Sequence, residues 1–240
     1  MEVGKTVQPL LTDVDPELLK GNVEQVVKEL EENRYQDGPP AKLIAVTKTV
    51  APDVINQLKN LGVLDIGENR AQVALPKLPE IAPEFRLHWI GRLQTNKVKD
   101  IIDMVCMLHS LDRLELAKEV DRRARQHGRV IPALVQVNIA GEAQKGGIAA
   151  EEVENFLREM KHYPNIHVEG LMAIMPLAAS EEELDGLFKG MRKLFEEMRG
   201  LNIEGVEMRE LSMGMSNDYR IAARNGATMV RVGTALYRQN

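Results

Sequence analysis

Lys48 stands in LIAVTKTVAPD (43–53), where an apolar, partly β-branched run ends in an amine. A run of that kind reads as a strand buried on both faces. Two readings fit the amine. It reaches solvent where the strand stops, or it is a nucleophile aimed at a ligand at the strand's C-terminal end. Far along the chain, SMGMSNDY (212–219) and RVGT (231–234) supply hydroxyls, glycines and an arginine. Backbone N–H groups, hydroxyls and a guanidinium all donate to the oxygens of a phosphate dianion, so these residues suit one. The alternative is two ordinary glycine-bearing loops with Arg231 in a surface ion pair. An amine beside a phosphate site fits an aldehyde-bearing phosphate held as a Schiff base. It fits equally a sugar phosphate in an aldolase-like enzyme.

Whether these residues meet depends on the elements between them. Asp15-Pro16 is an N-cap and N1 pair, and a helix is predicted over about 15–33. Its Leu19, Val23, Val26, Val27 and Leu30 fall on one face. Eight strand candidates follow: 42–48, 63–69, 86–91, 103–110, 132–138, 167–174, 209–214 and 228–233. Helical patterns lie between them near 52–61, 70–79, 95–102, 112–127, 150–162, 181–199 and 217–225, the last with an N-cap at Ser216 or Asn217. Strands alternating with helices imply parallel βαβ units, and eight of them in about 250 residues match a (β/α)8 TIM barrel. An open doubly wound sheet is the rival, but no GxGxxG follows the first strand and no P-loop is present. The expectation is one domain over 1–240, with the barrel proper over about 42–237 and no second domain. Barrel closure would set strand 8 against strand 1, and so the RVGT loop beside Lys48.

Composition narrows the function classes. The 240 residues are 44% hydrophobic and 28% charged with a net charge of −5, which suits a soluble globular protein. It gives no support to a nucleic-acid or membrane-surface binder. A single cysteine, Cys106, rules out a disulfide framework within the chain and reads as a small buried hydrophobe. No signal core or spanning run is evident, so a cytoplasmic location is expected. The five histidines lack metal-ligand spacing, and no metal is expected. His109 and Ser110 point to opposite faces of a strand and cannot act as a pair; His109 either faces the barrel rim or, the favoured reading, is a satisfied structural histidine. Met172, Met175, Met213 and Met215 fit either a cofactor wall or, as the default for methionine, gap-filling in the core.

LIAVTKTV, DIGENRAQ, LHWIGRLQTNK, HSLDR, VQVNIAGEAQKGGI, EGLMAIMPLA and LSMGMSNDYRIAARNGATMVRVGTALY occur in this order. Together they resemble the pyridoxal-phosphate homeostasis protein family (the YggS/PROSC type), which is related to the N-terminal barrel of alanine racemase. The resemblance covers about residues 42–237. It implies that Lys48 carries pyridoxal 5′-phosphate as a Schiff base and that Ser212, Met213, Arg231, Gly233 and Thr234 hold its phosphate. It places Asn69 near the cofactor and Lys145 as a second lysine in a loop. Two positions depart from the family pattern: Val50 stands where some members have another lysine, and ALYRQN replaces the usual IFG ending, with Tyr237 and Arg238.

The resemblance further implies a carrier or regulator in intracellular pyridoxal phosphate homeostasis, with effects on amino-acid and keto-acid pools. Racemases with this barrel add a β-domain that supplies a second acid–base group and part of a roof. No such domain is expected here, and a positioned acid or base is worth typically 10²–10⁴-fold. The reading is therefore a monomeric carrier without turnover, with pyridoxal-phosphate-dependent apo-enzymes as candidate recipients. A weak amino-acid racemase is the alternative.

Overall fold

The computed structural model describes residues 9–142 and 146–239, so Lys145 lies outside the described residues. After helix α1 (Pro16–Glu32), eight strands alternate with helices. They are β1 (Lys42–Val46), β2 (Asp65–Glu68), β3 (Arg86–Trp89), β4 (Val105–Leu111), β5 (Ile131–Val137), β6 (Ile166–Ala173), β7 (Val206–Ser212) and β8 (Met229–Val232). The helices between them are α2 (Pro52–Asn60), α3 (Ala71–Lys77), α4 (Val98–Ile101), α5 (Leu114–Gln126), α6 (Val153–Glu159), α7 (Glu181–Gly200) and α8 (Tyr219–Arg224). A four-residue helix, α9 (Thr234–Tyr237), follows β8. The strands pair in parallel and in sequence order, and β8 returns to β1 with Ile44 opposite Arg231. This is the expected closed (β/α)8 barrel.

Side-chain alternation divides each strand between two cores. Leu43 and Ala45 of β1, Leu87 and Trp89 of β3, and Val230 and Val232 of β8 face outward into the shell beneath the helices. Ile44, Met107, Leu134, Met172 and Met229 form a separate apolar plug inside the barrel. The same inward register carries Asp65, His88, His109, Ser212 and Arg231, all buried. Cys106 packs against the plug, and burial pushes its thiol up to about 12, which keeps it an unreactive hydrophobe at neutral pH.

Local chemistry explains the element ends. Asp15 accepts from the Glu17 N–H at 2.9 Å with Pro16 behind it, as the cap pattern requires. Leu19, Val23, Val26 and Leu30 are buried, but Val27 is 49% exposed, because the stripe facing the barrel is narrower than the run of apolar residues. At the N-terminus of α7, Ser180 and Glu183 complete a capping box. β1 and β7 both stop two residues before their predicted ends, since the chain turns immediately afterwards. Thr47 still donates its N–H to Gly67 O at 3.0 Å, and Val50 N–H then closes a turn onto Thr47 O at 2.9 Å. Lys48 thus stands in a turn rather than on the strand. At β7 the chain leaves through Gly214, whose φ of +96° and crowding by Ala222 leave no room for a Cβ.

Candidate functional site

The strand ends open onto a cleft of about 670 Å³ at the C-terminal rim of the barrel. Lys48, Asn69, Arg231, Gly233 and Thr234 all line it, as does Tyr237. Five of the eight residues singled out in the sequence therefore share one cavity. Ser212 and Met213 are fully buried beneath it, and Lys145 falls outside the described residues. Lys48 and Thr234 are exposed at the rim. Asn69 reaches its place because Gly91, at the end of β3, is bare: a Cβ there would sit 2.5 Å from Asn69. A second cleft of about 790 Å³ shares Asn69 and Gly91 and carries Arg92, Lys97 and Arg113.

The β7 and β8 loops meet through one hydroxyl. Ser216 Oγ accepts the backbone N–H groups of Gly233 at 3.1 Å and Ala235 at 3.2 Å. Two amides thus converge on an oxygen beside Thr234. Gly233 also lies close against β1, where a Cβ would meet Val46 at 3.2 Å. The sequence places the α8 N-cap at Ser216 or Asn217. Asp218 takes that place instead, and its Oδ1 accepts the Met215 N–H. Burial raises the Asp218 carboxyl, while the Met215 N–H and Arg231 pull it down.

Arg231 is 3% exposed and is not in a surface ion pair. Its guanidinium donates to Ser212 Oγ at 2.6 Å and to the Ala173 carbonyl at 2.8 Å. Burial brings its pKa down to about 10, opposed by the nearby Asp218, so it stays charged at neutral pH. Behind it runs a chain of contacts that sequence reading missed. Ser212 Oγ meets His109 Nδ1 at 3.0 Å, and His109 Nε2 meets His88 Nδ1 at 2.9 Å. His88 Nε2 then meets Asp65 Oδ1 at 2.9 Å, and Arg86 closes the far end of the barrel on the same carboxylate. A guanidinium only donates and a carboxylate only accepts. The protons therefore point one way, from Arg231 through Ser212, His109 and His88 to Asp65. Burial drives His109 well below the usual histidine range, with the charges of Arg231 and Lys42 adding to the effect. Hydrogen bonds from Arg86 and His88 overcome desolvation and hold Asp65 far below the ordinary carboxylate range. The signal available in the sequence was inward alternation: Asp65, His88, Ser212 and Arg231 each sit between apolar neighbours, whereas His109 is flanked by Leu108 and the polar Ser110.

Residues 14–240 match the family model described as the alanine racemase N-terminal domain. A pyridoxal phosphate homeostasis protein of Aquifex aeolicus is 40% identical over 198 residues, covering 82% of this chain and 86% of that protein. The chain belongs to the pyridoxal phosphate homeostasis protein family. Among solved structures, PipY of Synechococcus elongatus PCC7942 without PLP superposes with a TM-score of 0.84 at 30% identity, over 92% of this chain and all of that one. PipY with PLP bound gives 0.81 at 29% identity over the same shares. An alanine racemase of Clostridium difficile 630 shares the fold, with a TM-score of 0.77 at 17% identity over 99% of this chain and 60% of that enzyme.

Proposed function

We propose that this chain binds pyridoxal 5′-phosphate in the β1–β8 cleft and serves as a carrier in intracellular homeostasis of that cofactor. The observation that carries the reading is the cleft itself, where an exposed amine, two convergent amides and a buried guanidinium share one wall. The family membership and the PLP-bound relative support it. Bound there, the cofactor supplies an aldehyde that condenses reversibly with a primary amine. Lys48 provides that amine from the turn after β1. The N–H groups of Gly233 and Ala235 would exchange Ser216 Oγ for phosphate oxygens, and the hydroxyls of Ser216 and Thr234 would donate as well. Arg231 supplies positive charge from below, and Ser212 acts by holding Arg231. Met213 packs beneath the site, and Asn69 forms the opposite wall. An exposed amine at an open rim suits a protein that releases its ligand, with apo-enzymes as recipients, acting as a monomer in the cytoplasm. No helix among the described residues is long and apolar enough to cross a membrane.

The test combines chemistry and transfer. The purified protein should be yellow, and borohydride followed by peptide mapping should place the cofactor on Lys48. A label on Lys97 with none on Lys48 would overturn the site. Loaded protein should restore activity to a pyridoxal-phosphate-dependent apo-enzyme. Turnover of amino acids above that of free cofactor would favour the racemase reading instead.

A further inference from the structure

Lys77, the last residue of α3, is buried to 3% exposure, whereas every other lysine among the described residues is exposed or half-buried. An ammonium has three donors. Lys77 Nζ directs them at Glu68 Oε1 at 2.6 Å, the Thr47 carbonyl at 2.8 Å and the Val50 carbonyl at 3.3 Å. Thr47 and Val50 are the first and last residues of the turn that carries Lys48. The Thr47 hydroxyl donates to the same Glu68 oxygen at 2.7 Å, and Glu68 is fully buried at the end of β2. One cation therefore grips both ends of the Lys48 turn from beneath, and one carboxylate ties that grip to β2.

Stability alone gives little reason for this arrangement. Desolvating two charges offsets most of their attraction, and packed apolar residues commonly hold such a position at least as well. What the pair supplies is directional: two hydrogen bonds fix two carbonyls three residues apart, and the third ties Lys77 to Glu68. Lys48 itself is exposed and has no partner of its own among the described residues.

We propose that Lys77, paired with Glu68, is a positioning residue for Lys48. It fixes the Thr47–Val50 backbone so that the Lys48 side chain leaves it toward the cleft. This rests on Lys48 being the cofactor amine. Lys77 itself touches no cofactor; it acts by limiting the turn to the conformation from which the amine reaches its target.

Two variants test this. Lys77→Met keeps the length without the charge. Because it strands Glu68 as an unpaired buried acid, Lys77→Met with Glu68→Gln serves as the partner variant without that burden. Three readouts are compared with the unaltered protein: amide hydrogen exchange at residues 47–50 without cofactor, the rate of borohydride-trappable attachment of pyridoxal 5′-phosphate, and affinity for pyridoxine 5′-phosphate, which has the ring and phosphate but no aldehyde. The expected result is exchange about tenfold faster in the turn and attachment about tenfold slower, with unchanged pyridoxine 5′-phosphate affinity. Unchanged attachment and exchange in the folded double variant would overturn the proposal. So would a parallel loss of pyridoxine 5′-phosphate affinity, which would make the pair a general support of the cleft. Failure of the unaltered protein to attach cofactor at Lys48 would instead sink the functional reading, and the exchange measurement would still judge the clamp.

Discussion

Two buried polar chains run up to the same cleft and end differently. Under β8, the chain from Asp65 through His88, His109 and Ser212 terminates in the guanidinium of Arg231, held by a hydroxyl and a carbonyl. Under β1, the chain from Glu68 through Lys77 terminates in two backbone carbonyls and leaves the Lys48 side chain exposed. In one case the functional group is fixed; in the other only its anchor is. A group that serves by standing charge benefits from preorganisation, because no reorientation is needed when the ligand arrives. A nucleophile that must reach, bond and let go needs freedom in its own torsions on a backbone that does not drift.

The fixed end should be the costlier one to break. Arg231→Leu removes the donor to Ser212 and Ala173, leaves both acceptors buried and takes a charge from beside Asp218. Unsatisfied buried partners of a charged group cost about 1–3 kcal/mol or more each. Chemical denaturation should therefore register a loss of several kcal/mol, on the order of 3, together with a large loss of cofactor retention. Thr234→Ala offers the contrasting loop change: weaker retention with little loss of stability, because Thr234 is exposed. If neither substitution weakens retention, the phosphate lies elsewhere.

A pH experiment strains the same chain by a smaller amount. His109 is neutral in the folded protein, its pKa depressed by burial and by the positive charges facing it from β8 and β1. In the unfolded chain it takes up a proton near pH 6.5. Above that pH both states are neutral and the group contributes no pH dependence. As pH falls below it, only the unfolded state binds the proton, and stability drops by at most about 1.4 kcal/mol per pH unit. Asp65, whose folded pKa is likewise depressed, adds its own loss only in strong acid, below about pH 4 where its unfolded form is protonated. The denaturation midpoint should thus fall between pH 7 and pH 5, and His109→Gln should flatten that part of the profile. An equal slope in the variant would show that other groups carry it.

The sequence made the frame legible because eight short apolar runs alternating with helical patterns leave few alternatives to a closed barrel. Lys48, Gly233 and Thr234 could be placed on one rim once strand 8 was set beside strand 1. The inward chain could not be read in the same way. His88 and Asp65 pair across 23 residues, and His109 and Ser212 across 103, so each looked like an isolated polar residue on an apolar strand. Lys77 was invisible for the same reason: at the end of a short helix it reads as a solvated basic residue, and only folding brings α3 beneath the β1 turn. Strand ends also slipped, since the turn after Thr47 is fixed by Glu68 and Lys77 from elsewhere in the chain.

The smallest effect is expected where the chemistry is most concentrated. Lys48 is exposed and makes no hydrogen bond or ion pair among the described residues, so Lys48→Ala removes little that the fold depends on. Exposed substitutions of this kind change stability by no more than about 0.5 kcal/mol. The variant should melt with the unaltered protein, retain pyridoxine 5′-phosphate through the Gly233–Ala235 amides and Arg231, and lose the borohydride-trapped label at position 48. Set beside Arg231→Leu, this separates the two ends of the site: one substitution removes covalent capture and spares the fold, while the other damages both fold and retention. Marked destabilisation of Lys48→Ala would mean that the side chain, and not only its backbone, belongs to the buried clamp. The division between a free nucleophile and a fixed anchor would then fail.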